Sequence, residues 1–216
     1  MKTLIAVPCM DQVAAPFAHS LASLNKKGEC LISFQISSLI YQSRNDLAKQ
    51  ALKAGADYIL YLDSDMTFPQ DTLTKLIQHM EEGKDIVTGL CFRRRPPFTP
   101  AIFKKLGVNE DGLGTWEGYD DYPHDTVFEV GGCGFACVMV KTTVMMDVML
   151  NHRDLFGPTN GFGEDLSFCI RAKDCGYKIY CDSTIKTGHI GQIVVDENFY
   201  MTARSDQREV PECSQQ

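Results

Sequence analysis

The chain has 216 residues, of which 44% are hydrophobic and 23% are charged. A chain of this length and composition buries one substantial core, so wholesale disorder and a fibrous repeat are excluded. The formal net charge of -7 argues mildly against a surface made for polyanions, although it leaves room for a local basic patch.

Cysteine usage and hydropathy bear on the setting of the protein. The nine cysteines show no C-x-x-C spacing, and Cys91, Cys137 and Cys169 lie in apolar runs, where a thiol packs as a small hydrophobe. No apolar run approaches the roughly 18 residues of a membrane span, and the apolar part of the N-terminus is too short for a signal peptide. We therefore expect reduced thiols, no transmembrane segment and a cytoplasmic location.

Strand-like and helix-like segments alternate over the first 92 residues. Short apolar runs predict strands at 3–7, 30–36, 57–62 and 85–92, and apolar residues at helical spacing predict helices at 11–27, 43–52 and 69–82. The pattern β-α-β-α-β-α-β is typical of an α/β fold with a mostly parallel central sheet and flanking helices.

The second half is less regular. It predicts an edge strand at 101–105, a loop region at 107–125, a Gly-rich strand or bend within 127–140, helices at 142–150 and 166–175, and a strand at 177–181. His189 follows in a predicted loop. We expect one folded domain over residues 1–204 and a polar tail over residues 205–216.

Two carboxylates end the most apolar of the predicted strands. Asp63 and Asp65 follow the run Tyr58-Ile59-Leu60-Tyr61-Leu62, and ligands of open α/β sheets bind beyond such strand ends. Carboxylate oxygens are the natural ligands of a hard cation, so this stretch predicts a site for Mn²⁺ or Mg²⁺.

The order of several motifs resembles the GT-A nucleotide-sugar glycosyltransferases, especially the family-2-like group. These motifs are a helix that starts Ser43-Arg44-Asn45, the strand ending in Asp63-Ser64-Asp65, a Gly-rich segment, a helix opened by Glu164-Asp165, and the later His189. The resemblance covers roughly residues 3 to 190 and implies the GT-A fold and transfer of a sugar from a nucleoside-diphosphate donor, most simply UDP-linked.

The resemblance assigns the metal and the catalytic residues. Asp65, Asp63 and His189 would be metal ligands, with Asp63 also able to touch the donor's ribose. Asp165 would be the general base of an inverting transfer, taking the proton of the acceptor hydroxyl, and Glu164 would support the loop or hold an acceptor hydroxyl. Acidic residues in a first helical turn are also stabilised by the helix dipole alone.

The resemblance also assigns residues to the donor. Arg44 and Asn45, at a predicted helix start, would lie against its nucleotide end. The remaining donor contacts would be Pro8, Asp11, Ser64 and Gly132. Gly131 to Gly134 would let a ligand approach the main chain, or would form a tight bend.

Two further groups of residues are candidates for ligand contacts. Arg93, Arg94 and Arg95 would meet a diphosphate or a phosphorylated acceptor, or would be solvated. Trp116 and Tyr119 are candidates for a sugar-stacking platform. The sequence leaves the acceptor open among a glycan, a lipid, a protein and a hydroxymethylated nucleic-acid base.

Two other functions fit parts of the sequence. Asp63-Ser64-Asp65-Met66-Thr67 also fits the Asp-x-Asp-x-Thr motif of haloacid-dehalogenase-type phosphatases, in which Asp63 would be the nucleophile and Asp65 the acid-base. That family places the motif on its first strand, whereas two strand-helix units precede it here. A catalytically silent module that binds a nucleotide sugar is the second alternative.

Overall fold

The structure is a computed structural model that describes residues 1–191. Its strands are β1 (Lys2–Cys9), β2 (Glu29–Ile36), β3 (Tyr58–Leu62), β4 (Met66–Thr67), β5 (Ile86–Leu90), β6 (Ile102–Val108), β7 (Gly114–Gly118), β8 (Val127–Val130), β9 (Gly132–Cys133), β10 (Cys137–Lys141), β11 (Ile179–Lys186) and β12 (Gly188–His189). Its helices are α1 (Ala15–Ala22), α2 (Ile40–Lys53), α3 (Thr72–Glu81), α4 (Thr142–His152) and α5 (Glu164–Asp174). The tail predicted at 205–216 lies outside the described residues, and the domain boundary at 204 stays a prediction.

Seven strands form the central sheet, in the order β2-β1-β3-β10-β5-β11-β8. The β1–β2, β1–β3 and β5–β11 pairs are parallel, whereas β10 runs antiparallel between β3 and β5, and β8 runs antiparallel beside β11. The predicted α/β fold with a mostly parallel sheet is therefore confirmed. The insertion of β10 was not predicted, because a buried apolar run does not identify its neighbours in a sheet.

Helices cover both faces of this sheet. Alternate residues of β3 face opposite layers: Ile59 and Tyr61 belong to the core beneath α2, α4 and α5, and Leu60 and Leu62 belong to the core beneath α1 and α3. All four side chains are fully buried, which explains why this strand reads as a continuous apolar run.

Two small sheets bring distant segments to the carboxyl end of β3. His189 was predicted in a loop, but it lies in β12, which pairs antiparallel with β4 so that His189 is opposite Met66. The loop region predicted at 107–125 contains β7, which pairs with β6. The sequence Gly-Thr-Trp-Glu-Gly of β7 has almost no apolar alternation because most of the strand is exposed.

Candidate active site

The turn after β3 is held by two other segments. Asp63 N–H donates to the Ala136 carbonyl at 3.0 Å, and the Ser64 carbonyl accepts from Ala14 N–H at 3.2 Å. The start of β10 and the segment before α1 thereby fix the backbone that carries Asp63 and Asp65. This turn lies at the carboxyl ends of the parallel strands, where α/β folds bind ligands.

Arg44 lies inside the protein, in contrast to the predicted position at a helix start. Helix α2 begins at Ile40, so Arg44 is in its second turn, and only 3% of its side chain is exposed. Its Nη2 donates to Asp63 Oδ1 at 2.8 Å and lies 3.8 Å from Glu164 Oε1. Arg44 is therefore an internal ion-pair partner that joins the end of β3 to the start of α5.

Within residues 1–191, the side chain of Asn45 makes its hydrogen bonds to the segment that follows α4. Its Nδ2 donates to Asp154 Oδ1 at 3.0 Å, and its Oδ1 accepts from Phe156 N–H at 3.3 Å. Both polar ends of the amide thus fix the loop after α4, and the predicted donor contact is not supported by this geometry.

The charged groups around Arg44 shift one another's pKa values. Burial alone would lower the pKa of Arg44, but the nearby carboxylates of Asp63, Glu164 and Asp165 raise it. Burial raises the pKa of Asp63 above its ordinary value despite the opposing effect of Arg44. The guanidinium is therefore the central positive charge in a crowded group of acids.

Asp65 contacts two other basic side chains, Arg94 and His189. Its Oδ2 accepts from Arg94 Nη1 and lies 3.4 Å from His189 Nε2. Burial opposes ionisation of Asp65, but the bond and charge of His189, with the charge of Arg94, lower its pKa. The bond to Asp65 raises the pKa of His189 in turn, against the effect of burial.

The donor set at Asp65 suits a divalent cation. His189 Nδ1 donates to the Phe92 carbonyl at 2.8 Å, which directs Nε2 toward the carboxylate and leaves it to coordinate a metal when unprotonated. Within residues 1–191, no three His, Cys, Asp or Glu side chains converge as a preformed cluster, because Asp63 is turned to Arg44. Asp65 and His189 supply two donors of the kinds that divalent cations accept, so any further ligands would have to come from other groups.

Asp165 opens into a cleft of about 320 Å³. Its Oδ1 accepts from Leu166 N–H at 2.8 Å, and a Cβ built on Gly134 would lie 3.6 Å from its Oδ2. The pKa of Asp165 is raised by burial and by Glu164 beside it. The other lining residues are Arg93, Ala101, Phe103, Trp116, Gly161, Phe162, Gly163 and Leu166.

The remaining predicted residues are distributed unevenly. Pro8 is buried near the end of β1, and Asp11 is exposed in the segment before α1 that contacts the Ser64 carbonyl. A Cβ on Gly132 would lie 2.5 Å from Leu106, so a side chain there would have to displace Leu106 where β9 packs on β6. The glycine that approaches the cleft is Gly134.

Of the two aromatic candidates, one lines the cleft at Asp165 and the other does not. Trp116 is 59% exposed and lines the cleft beside Phe162. Tyr119 packs on Phe128, with the ring centroids 5.3 Å apart, and is not among the residues that line the cleft. The contact of Arg94 with Asp65 had no specific signal in the sequence beyond the run of three arginines.

The fold of the chain and the order of its acids resemble those of GT-A glycosyltransferases. Residues 35–136 match the family model described as glycosyl transferase family 2. The resemblance inferred from the order of the motifs is confirmed by this match and by the structural neighbours. No curated protein sequence matches the chain.

Solved structures of three proteins share the fold. A197 from STIV has a TM-score of 0.63 at 20% identity, with 91% of this chain and 87% of that chain covered. S. aureus TarS 1-349 in complex with UDP-GlcNAc has a TM-score of 0.56 at 16% identity, with coverage of 100% and 68%. GalNAc-T7 with UDP, GalNAc and Mn²⁺ has a TM-score of 0.60 at 10% identity, with coverage of 88% and 43%, so this chain spans less than half of it.

One further prediction concerned membranes. Among the helices of residues 1–191, none has the length and apolar character needed to cross a bilayer. The cytoplasmic location expected from the cysteines stays a prediction.

Proposed function

We propose that the chain transfers a sugar from a UDP-linked donor to an acceptor hydroxyl with Mn²⁺ or Mg²⁺, and that the transfer inverts the anomeric centre. The observation that carries the proposal is the position of Arg44. Its buried guanidinium lies between Asp63, at the end of β3, and Glu164, beside Asp165. The donor side and the acceptor side of the site are thus held in one ion-pair network.

On the donor side, Asp65 and His189 would hold the cation. A bound divalent cation neutralises the negative charge that builds on a nucleoside diphosphate as it departs. Asp63, whose Oδ1 is taken by Arg44, would contact the ribose through its other oxygen, with Pro8, Asp11 and Ser64 near the nucleotide. Arg94 would exchange its contact with Asp65 for one with the diphosphate, since a guanidinium matches phosphate oxygens well.

On the acceptor side, Asp165 would act as the general base. The acceptor hydroxyl oxygen attacks the anomeric carbon, the bond from that carbon to the diphosphate oxygen breaks, and the hydroxyl proton passes to Asp165. Asp165 Oδ1 accepts a hydrogen bond from the Leu166 N–H, so Oδ2, beside Gly134, is the oxygen that remains to face the cleft. A raised pKa strengthens a carboxylate as a base, provided that it stays ionised at the working pH.

The cleft around Asp165 would receive the acceptor. Its volume suits one ring, and Trp116, Phe103 and Phe162 supply apolar and aromatic surface, on which the faces of sugars and of nucleobases pack. A glycan, a lipid-linked sugar, a protein and a hydroxymethylated base all remain candidate acceptors.

The proposal is tested with a panel of nucleotide sugars in the presence and absence of Mn²⁺. A UDP sugar should raise the melting temperature when Mn²⁺ is present, and slow release of UDP should be detectable without an acceptor. A silent module would bind the donor but release no UDP with any acceptor class. Absence of binding across the panel would reject the proposal itself.

The phosphatase alternative is not supported. Its motif belongs on the first strand of the sheet, whereas Asp63 follows the third strand in chain order, in a GT-A fold. Asp63 Oδ1 is also bound by a buried guanidinium, which lowers the nucleophilicity that a phosphoryl acceptor needs.

A further inference from the structure

Strand β2 forms one edge of the central sheet and leaves an apolar stripe uncovered. Ile32, Phe34 and Ile36 point to one face and are 40%, 46% and 66% exposed. They lie opposite Ile5, Val7 and Cys9 of β1. Ile5 and Val7 are fully buried in the core that contains Phe17 of α1, so α1 covers β1 and stops short of β2.

The exposed surface continues beyond the strand. Met10 follows Cys9, the partner of Ile36, and Leu39 and Ile40 lie at the start of α2; all three are exposed. We name the six residues Met10, Ile32, Phe34, Ile36, Leu39 and Ile40 the β2 patch. Taking about 200 Å² for each large apolar side chain, the patch exposes roughly 600 Å², at the upper limit for an ordinary monomer.

The backbone of β2 is also free along this edge. Glu29 N–H donates to the Met1 carbonyl, and Ser37 N–H donates to the Cys9 carbonyl, so the odd-numbered residues of the strand face β1. By the alternation of a β-strand, the N–H and C=O groups of residues 30, 32, 34 and 36 point away from the sheet. Within residues 1–191, no strand pairs with them.

Strand β2 lacks the residues that usually prevent another strand from pairing with an exposed sheet edge. From Cys30 to Ile36 the strand contains no charged residue and no proline, the residues that commonly prevent edge-to-edge pairing. An exposed apolar stripe beside unpaired backbone groups favours the addition of another strand.

We propose that β2 pairs antiparallel with β2 of a second copy of this chain, across a two-fold axis at Phe34. In this register Phe34 lies opposite its own copy, Ile32 lies opposite Ile36, and Ser33 lies opposite Gln35. A two-fold interface must be self-complementary, and this register places apolar residues against apolar residues and polar against polar. Phe34 and its copy exchange two backbone hydrogen bonds, as do the two flanking Ile32–Ile36 pairs.

Backbone and side chains both contribute to the contact. The hydrogen-bonded pairs at residues 32, 34 and 36 join the two edge strands, and the apolar side chains of each pair lie side by side on one face of the sheet. With no like charge between Cys30 and Ile36 to oppose a second copy, the central sheets of two molecules become one continuous sheet. None of the residues that line the cleft at Asp165 belongs to the β2 patch, so the pairing leaves that cleft free.

The test measures the mass of the full chain in solution by size-exclusion chromatography with light scattering. The unmodified chain should be a dimer at micromolar concentration, and Phe34→Glu should be a monomer with an unchanged circular dichroism spectrum. Leu150→Glu is the matched control, because Leu150 is 81% exposed on α4 and lies outside the patch; it should remain a dimer.

A second measurement tests the register even if Phe34→Glu fails to fold. Opposed residues of a hydrogen-bonded pair have Cα atoms about 5.5 Å apart, which a disulfide can span. Phe34→Cys should therefore form a covalent dimer under mild oxidation, reversed by reductant, whereas Leu150→Cys should not. A monomeric unmodified chain, including one that sediments with lipid vesicles, or a dimer that Phe34→Cys cannot cross-link, would overturn the proposal.

Discussion

Arg44 Nη2 lies 2.8 Å from Asp63 Oδ1 and 3.8 Å from Glu164 Oε1, with the guanidinium buried between strand β3 and helix α5. The two acids are separated by 101 residues in the sequence, and a single cation holds them in one network. This network positions the strand-end acids relative to Asp165. The consequences extend to stability, metal binding and catalysis.

Replacement of Arg44 by Met should lower the free energy of unfolding by roughly 2–3 kcal/mol, because it removes a charged hydrogen bond and leaves the partly exposed carboxylates of Asp63 and Glu164 without their counter-charge. Chemical denaturation at pH 7 measures the change. Arg95→Met, at an exposed arginine, should change stability by less than about 0.5 kcal/mol. Equal midpoints for the two variants would mean that the ion pair contributes little.

The metal site makes a separate prediction. Asp65→Ala and His189→Ala should each weaken Mn²⁺ binding by at least the roughly tenfold that even an outer-shell partner contributes. Arg94→Met should strengthen Mn²⁺ binding in the absence of donor, since Arg94 occupies Asp65 Oδ2. Titration calorimetry with Mn²⁺ alone distinguishes these effects.

Arg95→Met is the control for the loss of a positive charge nearby. If Arg94→Met and Arg95→Met change Mn²⁺ affinity equally, the effect is general electrostatics, and a specific competition at Asp65 is ruled out.

The sequence predicted the acids of the site better than their partners. Apolar runs and the order of motifs were sufficient for the fold, for Asp65 beyond β3 and for Asp165 in the first turn of α5. They could not reveal that α2 starts three residues earlier than Ser43, at Ile40, which turns Arg44 from a surface ligand into an internal cation. A one-turn shift of a helix leaves its apolar period unchanged, so periodicity cannot detect it.

The glycines illustrate the same limit. Gly132 and Gly134 are indistinguishable in the sequence, yet a side chain on Gly132 would strike Leu106, and one on Gly134 would meet Asp165. Which glycine serves packing and which serves the cleft depends on strands β6 and β9, whose pairing is set by tertiary contacts.

Trp116 should matter for the acceptor and not for the donor. Trp116→Ala should raise the acceptor KM about tenfold, as expected for the loss of one stacking contact of 1–1.5 kcal/mol, and should leave the donor KM unchanged. Trp116→Phe, which keeps an aromatic face, should retain most of the affinity. An equal rise in both KM values would place Trp116 outside a dedicated acceptor cleft.

Asp165→Asn should lower kcat by roughly 10²–10⁴-fold, the usual contribution of a general base, while the donor Kd stays unchanged. Asp174→Asn, at an exposed residue at the end of the same helix, should be fully active. Transfer at the normal rate by Asp165→Asn would show that another group takes the proton.

The same substitution should stabilise the protein at neutral pH. Burial and Glu164 raise the pKa of Asp165 in the folded state, so the folded chain binds a proton more readily than the unfolded chain. The contribution of Asp165 to the free energy of unfolding therefore falls as the pH rises from its pKa in the unfolded chain through its pKa in the folded chain. Ionised Asp165 thus lowers the stability at pH 7. Asp165→Asn removes that charge, so its melting temperature should exceed that of the unmodified chain at pH 7.

The advantage should shrink as the pH falls through the raised pKa of Asp165, where the unmodified carboxyl becomes neutral as well. The acid limb of the kcat/KM profile should lie in the same pH range, above the ordinary value for an aspartate, since the base must be ionised to accept a proton. Thermal unfolding and initial rates measured over one pH series check both effects on one protein. A melting-temperature difference that is constant with pH would show that the higher stability of Asp165→Asn comes from packing. The ionised carboxylate of Asp165 would then not lower stability in exchange for catalytic activity.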